Sequence, residues 1–151
     1  MKDSFVKYIS LLYRNTNRYF DIQLEEELIR SGQQFFLLRI FENDGISMCD
    51  LAKLGGYDKG TVTKAVQKLV DQGYVETVAD GSDKRMRHLY ITNDAMPAIK
   101  RLYEIREEWN RRLIEQLDEE EKEKIFEIFQ KMSQASSEVI RELGEKNHRK
   151  C

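Results

Sequence analysis

Hydrophobic residues recur every three or four positions along most of this chain, a spacing typical of amphipathic helices. The pattern predicts a first helix over residues 3–20 and a second helix that Ser31 caps and Asn43-Asp44-Gly45 ends. Ser47 is expected to cap a short third helix, which Gly55-Gly56 breaks. Three helices are therefore predicted before the middle of the chain.

The fourth predicted helix has the clearest hydrophobic stripe. Asp58 is a favourable N-cap for it, and Gly73 is expected to end it. The stripe lies on one side of a helical wheel and consists of Val62, Ala65, Val66, Leu69 and Val70. Because only a tight glycine-containing turn separates this helix from the third one, residues 47–72 are predicted to form a helix-turn-helix.

The period then changes to that of a β-hairpin. Residues 74–79 and 87–92 are rich in β-branched and aromatic side chains, and the polar stretch 80–85 between them suits a loop. After this hairpin the helical spacing returns. Asp94 is expected to cap a fifth helix, with Pro97 in its first turn, and Asp118 with Glu121 resembles a capping box that opens a last helix, ended by Gly144. The predicted fold is mainly α with a small β-hairpin wing.

The fourth helix presents a polar face opposite its stripe, and this face suits contact with bases and phosphates in a major groove. Its residues are Lys59, Gly60, Thr61, Thr63, Lys64 and Gln67. The hairpin loop adds Lys84, Arg85 and Arg87, and Asp83 stands two residues before Arg85, where it is expected to hold that side chain in a productive rotamer. A loop of this kind can place a guanidinium in a minor groove. The alternatives are a solvated helix face and a solvated charged turn.

Charge and composition limit the possible function classes. The net charge is −2, yet residues 47–92 carry seven basic and six acidic side chains and are the only third that is not net negative. Cys49 and Cys151 are too few for a disulfide framework, and no metal-ligand cluster, phosphate loop or nucleophile motif is present, so neither an enzyme nor a cofactor is expected. The chain lacks a signal-peptide pattern and a membrane-spanning stretch, so we expect a cytoplasmic protein with no membrane partner.

The hairpin resembles the wing of the MarR family, the multiple antibiotic resistance regulators. The family signature is Asp-x-Arg followed by Leu-Thr. Asp83, Arg85 and Thr92 match it, and Ile91 replaces the leucine. Upstream, the resemblance extends to Leu51-Ala52, to 58–63 at the start of the fourth helix, and to the exit from Leu69 through Gly73-Tyr74-Val75. The helix order matches over nearly the whole chain.

This resemblance implies a DNA-binding transcription regulator, with repression as its default mode. Arg85 would enter the minor groove with Asp83 as its positioning partner, and residues 59–67 would read the major groove. The implied organisation is a single domain, 1–151, with dimerisation helices at 3–30 and 94–144, a winged helix-turn-helix at 31–92, the helix-turn-helix at 47–72 and the wing at 74–92. The implied partners are a second copy of the chain, a palindromic double-stranded operator and a small aromatic effector.

Several alternatives stay open. The first and last helices carry long hydrophobic stripes that suit a dimer but can also fold onto each other within one chain. The effector cleft would use aromatic residues that are also suitable for a core: Tyr8, Tyr13, Tyr19, Phe20, Phe36, Tyr103 and Trp109. Cys49, near a helix N-terminus, could instead serve redox or electrophile sensing. A winged helix used only as a protein-interaction adaptor is a further reading.

Overall fold

The computed structural model describes residues 4–144 and confirms the predicted order of elements. Four helices come first: α1 (Phe5–Gln23), α2 (Ser31–Glu42), α3 (Met48–Gly55) and α4 (Lys59–Asp71). The antiparallel hairpin β1 (Val75–Ala79) and β2 (Arg87–Ile91) follows, and then a 3-10 turn (Asn93–Ala95), α5 (Met96–Ile114) and α6 (Glu119–Gly144). The fold class, mainly α with a β-hairpin wing, is therefore confirmed.

Three helix starts have the caps that the sequence predicts. The Ser47 hydroxyl accepts from the Asp50 amide at 3.0 Å, and an Asp58 carboxylate oxygen accepts from the Thr61 amide at 2.8 Å. At α6 the exchange is reciprocal, since the Asp118 amide donates to Glu121 at 3.0 Å and the Glu121 amide donates to Asp118 at 2.9 Å. Each cap satisfies amides that the first helical turn leaves without an intrahelical partner.

Two predicted caps are wrong. Ser31 is the first residue of α2 rather than its cap, and the helix start is instead satisfied by Asp21 of α1. The Asp21 carboxylate accepts from the Ser31 amide at 2.8 Å and from the Ser31 hydroxyl at 3.0 Å. Asp94 lies inside the 3-10 turn and does not cap α5, which begins at Met96. Both errors arise because a cap residue is defined by contacts that sequence spacing alone does not determine.

The chain divides into two compact units, residues 1–109 and 110–151. The first unit contains the core, which takes the end of α1 at Phe20, one face of each helix from α2 to α5 and the inner face of the hairpin. Its largest fully buried side chains include Phe36, Leu37, Ile40, Leu51, Leu69, Leu89, Ile99, Leu102 and Ile105. On α2 the hydrophobic spacing predicts a buried face of Phe36, Leu37, Ile40 and Phe41; the first three are buried, whereas Phe41 is 38% exposed. The described part of the second unit is the end of α5 with α6, and no residue of α6 is buried.

The hairpin is joined to the helix-turn-helix at two places. The Thr92 hydroxyl, at the end of the family signature, donates to the Gly73 carbonyl at 2.6 Å and so closes the base of the wing. On the other side of β2, the segment 45–47 forms an isolated antiparallel β-bridge, in which Ser47 pairs with His88. The Gly45 amide donates to the Leu89 carbonyl and the Leu89 amide to the Ile46 carbonyl, both at 2.9 Å. This pairing, which the sequence did not predict, holds the start of α3 against the wing.

Candidate nucleic-acid interface

Helix α4 is anchored by its hydrophobic stripe and leaves its polar face to solvent. Val62, Val66 and Leu69 are buried, while Ala65 and Val70 at the edges of the stripe are partly buried. All six residues predicted for contact with DNA lie on the exposed side: Lys59, Gly60, Thr61, Thr63, Lys64 and Gln67. Burial of one stripe therefore fixes the helix and determines which side chains a partner can reach.

Three polar side chains on this face are hydrogen-bonded within the helix. The Thr61 hydroxyl donates to the Asp58 carboxylate at 2.9 Å, and the Thr63 hydroxyl donates to the Lys59 carbonyl at 2.8 Å. The Gln67 amide donates to the Asp71 carboxylate at 2.8 Å. These bonds are local and exposed, so a base edge or phosphate can replace them at small cost. They hold the side chains in one rotamer in the absence of a partner.

The position of α4 depends on an aromatic contact in the turn before it. The Tyr57 ring lies 5.3 Å from the Phe35 ring and 4.8 Å from the Phe36 ring, measured between centroids, so that it packs on α2. A methyl group on Gly55 would lie 2.5 Å from Tyr57 and 2.7 Å from Phe35. Glycine is therefore required at the end of α3 because two rings close over it. Burial is the main reason that the pKa of the Tyr57 hydroxyl is raised.

The far end of α4 is held by a buried amide pair that the sequence did not reveal. Gln33 of α2, 4% exposed, donates to the Gln72 side chain at 3.0 Å. Gln72 is the C-cap residue of α4 and donates in turn to the Leu28 carbonyl at 2.6 Å. Nothing in the spacing of two glutamines 39 positions apart indicates this contact. Both ends of α4 are thus fixed, against α2 and against the segment that precedes α2.

The wing loop is organised by Asp80, which the sequence analysis did not select. One Asp80 carboxylate oxygen accepts from the Ser82 amide at 3.0 Å, the Ser82 hydroxyl at 2.7 Å and the Asp83 amide at 2.9 Å. The Asp80 amide donates to the Met86 carbonyl at 2.9 Å and closes the loop. An aspartate followed by glycine and serine is an Asx-turn signal, and this would have identified the residue.

The wing places its basic residues at the surface, as predicted. Lys84, Arg85 and Arg87 are all exposed, and none of them forms an ion pair with another residue of the described range 4–144. A contact between the Asp83 carboxylate and the Arg85 guanidinium is absent from the described residues, and the role of Asp83 as positioning partner on DNA stays a prediction. Asp83 instead accepts from the Arg85 backbone amide at 3.0 Å, so it shapes the loop and leaves the guanidinium unpaired.

His88 joins the wing loop to the segment before α3. Its Nε2 lies 2.8 Å from a carboxylate oxygen of Asp80, and its Nδ1 lies 2.9 Å from the Gly45 carbonyl oxygen. The hydrogen bond with Asp80 is the main cause that raises the pKa of His88 above its usual value, and the Gly45 carbonyl acts in the same direction. The same bond holds the pKa of Asp80 well below its usual range.

The residues considered for effector binding and redox sensing differ in how deeply the structure buries them. Phe20 and Phe36 belong to the buried core. Tyr19 stacks on Trp109 at 4.6 Å, and the Trp109 indole donates to the Thr16 hydroxyl at 3.0 Å. Tyr8 and Tyr13 are exposed, and Tyr103 is partly buried. Cys49 is partly buried in the first turn of α3, and its redox role stays a prediction.

None of the described helices is both long and apolar enough to cross a bilayer.

Known proteins with the same features are bacterial and archaeal regulators. The sequence model of the MarR family matches residues 30–86. The HTH-type transcriptional regulator BilQ of Clostridium symbiosum is 27% identical over 132 residues, which cover 87% of this chain and 92% of BilQ. The structure of a MarR protein from Peptoclostridium difficile is 30% identical, covers 92% of this chain and 91% of its own, and superposes with a TM-score of 0.87. A MarR family regulator from Listeria monocytogenes, solved with 26mer DNA, shares the fold at 19% identity, with a TM-score of 0.88 and 99% of each chain covered.

Proposed function

The chain belongs to the MarR family of transcriptional regulators, and from this membership we propose that it binds a palindromic DNA operator as a homodimer. Helix α4 lies in the major groove in this proposal, and the wing places Arg85 in the adjacent minor groove. The main support for this proposal is that all ten predicted contact residues are exposed, on α4 and on the wing, and that both elements are anchored to the same core. Five of them are basic, and none is neutralised by an ion pair within residues 4–144.

Unpaired cations matter here because DNA affinity comes largely from the release of condensed counterions by Lys and Arg. Lys59 stands at the N-terminus of α4, where the helix dipole also favours a phosphate. Gly60 adds no side chain at this end of the helix, so the backbone can approach a phosphate closely. The alternative function as a protein-interaction adaptor does not explain the exposed, unpaired guanidinium of Arg85.

The experiment is fluorescence anisotropy with labelled duplexes tiled across the region upstream of the protein's own gene. Arg85→Ala is expected to weaken specific binding by ~1–3 kcal/mol and to relax the preference at one position. Lys100→Ala, an exposed lysine of α5, is the matched control and should bind like wild type. If Arg85→Ala binds the same duplex as tightly as Lys100→Ala does, the wing is not a DNA contact.

The dimer proposal is supported by hydrophobic side chains that one copy of the chain leaves in solvent. In α1, Phe5 is 65% and Ile9 is 53% exposed; in α6, Phe129 is 48% and Leu143 is 73% exposed. Amphipathic helices gain most of their stability from packing of the apolar face, so faces of this size favour a partner. A two-fold dimer would present two recognition helices to half-sites about one duplex turn apart, or ~34 Å.

Sedimentation equilibrium tests the dimer. Wild type is expected at twice the chain mass of 17.9 kDa, and Phe129→Glu should shift it towards the single-chain mass. Gln130→Glu, which introduces the same charge at the next exposed position of α6, should remain dimeric. Equal masses for the two variants would contradict the assignment of this face.

Release by a small aromatic effector is the remaining part of the proposal, and family membership supports it. The stacked pair of Tyr19 and Trp109 is partly buried and offers aromatic surface where α1 meets α5. A thermal-shift screen with phenolic compounds tests this, followed by anisotropy with each compound that raises the melting temperature. A true effector must lower affinity for the duplex, while a compound that stabilises the protein without releasing DNA contradicts the role.

A further inference from the structure

The side chain of His88 bridges two parts of the molecule that must both face DNA in the proposed function. Its Nε2 contacts Asp80, which organises the wing loop, and its Nδ1 contacts the Gly45 carbonyl, two residues before the cap of α3. The loop carrying Arg85 is therefore linked to the helix-turn-helix through one imidazole ring. This ring is partly buried, and it lies outside the set of residues predicted to touch DNA.

The two partners of the ring determine its protonation state. A backbone carbonyl oxygen only accepts hydrogen bonds, and so does an ionised carboxylate. A neutral imidazole carries one N–H and can satisfy one of them, whereas the imidazolium donates from both nitrogens. Because Asp80 already accepts three hydrogen bonds that favour its ionised form, the geometry requires the cationic form of His88.

The surroundings of the ring are consistent with a cation. Across the sheet it faces the backbone of uncharged Val78, and on the other side it pairs with Ser47. The charged groups on adjoining elements are of both signs: the acids are Asp44, Asp50, Glu76 and Asp83, and the bases are Lys53, Lys84, Arg85 and Arg87. Within the described range, Asp80 is the only charged side chain in an ion pair with His88.

We propose that His88, as an imidazolium, is the positioning residue that fixes the wing against the helix-turn-helix, so that DNA binding weakens when the ring loses its proton. The consequence for DNA rests on the function proposed above. Loss of the proton removes one of the two donors, and either the Asp80 or the Gly45 contact is then given up. The wing is left with fewer constraints, so Arg85 must be ordered at the time of binding.

A titration of the ring tests the proton without any DNA. In protein labelled with ¹⁵N, both ring nitrogens of His88 are expected to keep imidazolium chemical shifts to a higher pH than those of an ordinary histidine, with a pKa above 6.5. Asp80→Asn should lower that pKa, since an asparagine amide can donate to a neutral Nε2 while its oxygen keeps the loop contacts. A His88 pKa at or below 6.5 in wild type, or one that Asp80→Asn leaves unchanged, would overturn the proposal.

The functional arm compares duplex affinity at about pH 6 and about pH 8.5, on either side of the range in which histidine titrates. His88→Gln should bind more weakly than wild type by on the order of three- to tenfold at the lower pH, and the two should converge at the higher pH. His148→Gln, which changes the only other histidine and lies outside the described residues, is the matched control and should follow wild type. An equal loss for His88→Gln at both pH values would indicate packing rather than charge. If no duplex binds at any pH, the proposed function fails, and the ring titration still decides the role of His88.

Discussion

Gly55→Ala provides the most direct test of how the recognition helix is held. The structure gives the added methyl group no free space, because its carbon would lie 2.5 and 2.6 Å from the Tyr57 ring and 2.7 Å from the Phe35 ring. Carbon atoms do not approach so closely, so at least one ring must leave its place on α2. Such overpacking of a well-packed contact costs about 1–3 kcal/mol.

An opposing effect has to be subtracted from this cost. Gly55 is the last residue of α3, and alanine is favoured over glycine in a helix by up to ~1 kcal/mol. The net expectation is a loss of up to about 2 kcal/mol in the free energy of unfolding, after that gain is taken from the overpacking cost. Gly32→Ala in α2 is the matched control, because nothing lies within 4 Å of its added carbon. The same substitution there should leave stability unchanged or raise it slightly.

Urea denaturation at one fixed protein concentration measures both variants. The cause can be isolated with a mutant cycle, since Tyr57→Ala removes two of the three close contacts and should reduce the cost of Gly55→Ala. Duplex affinity should also fall in Gly55→Ala under conditions where it is folded, because Tyr57 precedes the cap of α4 by one residue. A Gly55→Ala protein at least as stable as wild type would refute the packing account.

Three further outcomes are expected. Asp21→Ala should lower the free energy of unfolding by about 1–2 kcal/mol in urea titrations, through loss of a cap and a favourable helix-dipole charge, and Ser31→Ala should cost less because its amide keeps its acceptor. The stability advantage of wild type over His88→Gln should be greatest between the ordinary pKa values of 3.8 for Asp80 and 6.5 for His88. Thermal melts should show this advantage lost as the pH falls through the lowered pKa of Asp80, or rises through the raised pKa of His88. A stability difference that does not change with pH would contradict the ion pair. Lys64→Ala should weaken binding alike for all duplexes and reduce the salt slope by about 1, whereas an unchanged slope would place Lys64 away from phosphate.

The elements of this fold could be predicted from the sequence wherever local chemistry decides them. Ser47, Asp58 and the pair Asp118 and Glu121 cap their helices as expected, because each satisfies an amide only three residues away. The stripe from Val62 to Leu69 is buried as predicted, since helical periodicity alone selects it. The exposed side of α4 followed from the same periodicity.

Contacts between distant residues could not be predicted in this way. The cap of α2 comes from Asp21, ten residues before Ser31, and the amide pair of Gln33 and Gln72 spans 39 positions. Both depend on how α1, α2 and α4 pack, and a single sequence carries no signal for that. The Asp83 carboxylate bonds to the Arg85 backbone amide, a contact that was not expected, because the short side chain of aspartate readily bonds to nearby backbone amides.

The β-bridge that segment 45–47 forms with β2 has a consequence for the thermodynamics of recognition. Because this segment pairs with β2 while its last residue caps α3, the helix-turn-helix and the base of the wing share one hydrogen-bonded backbone. The helix-turn-helix and the wing therefore lose little conformational entropy relative to each other on binding. Once one of them contacts its groove, the other is held at a high effective concentration next to its own groove. Such a protomer gains affinity without added contacts, and it tolerates little change in spacing within a half-site. In the proposed dimer, adjustment to operators of different length would come from the junction between the two copies.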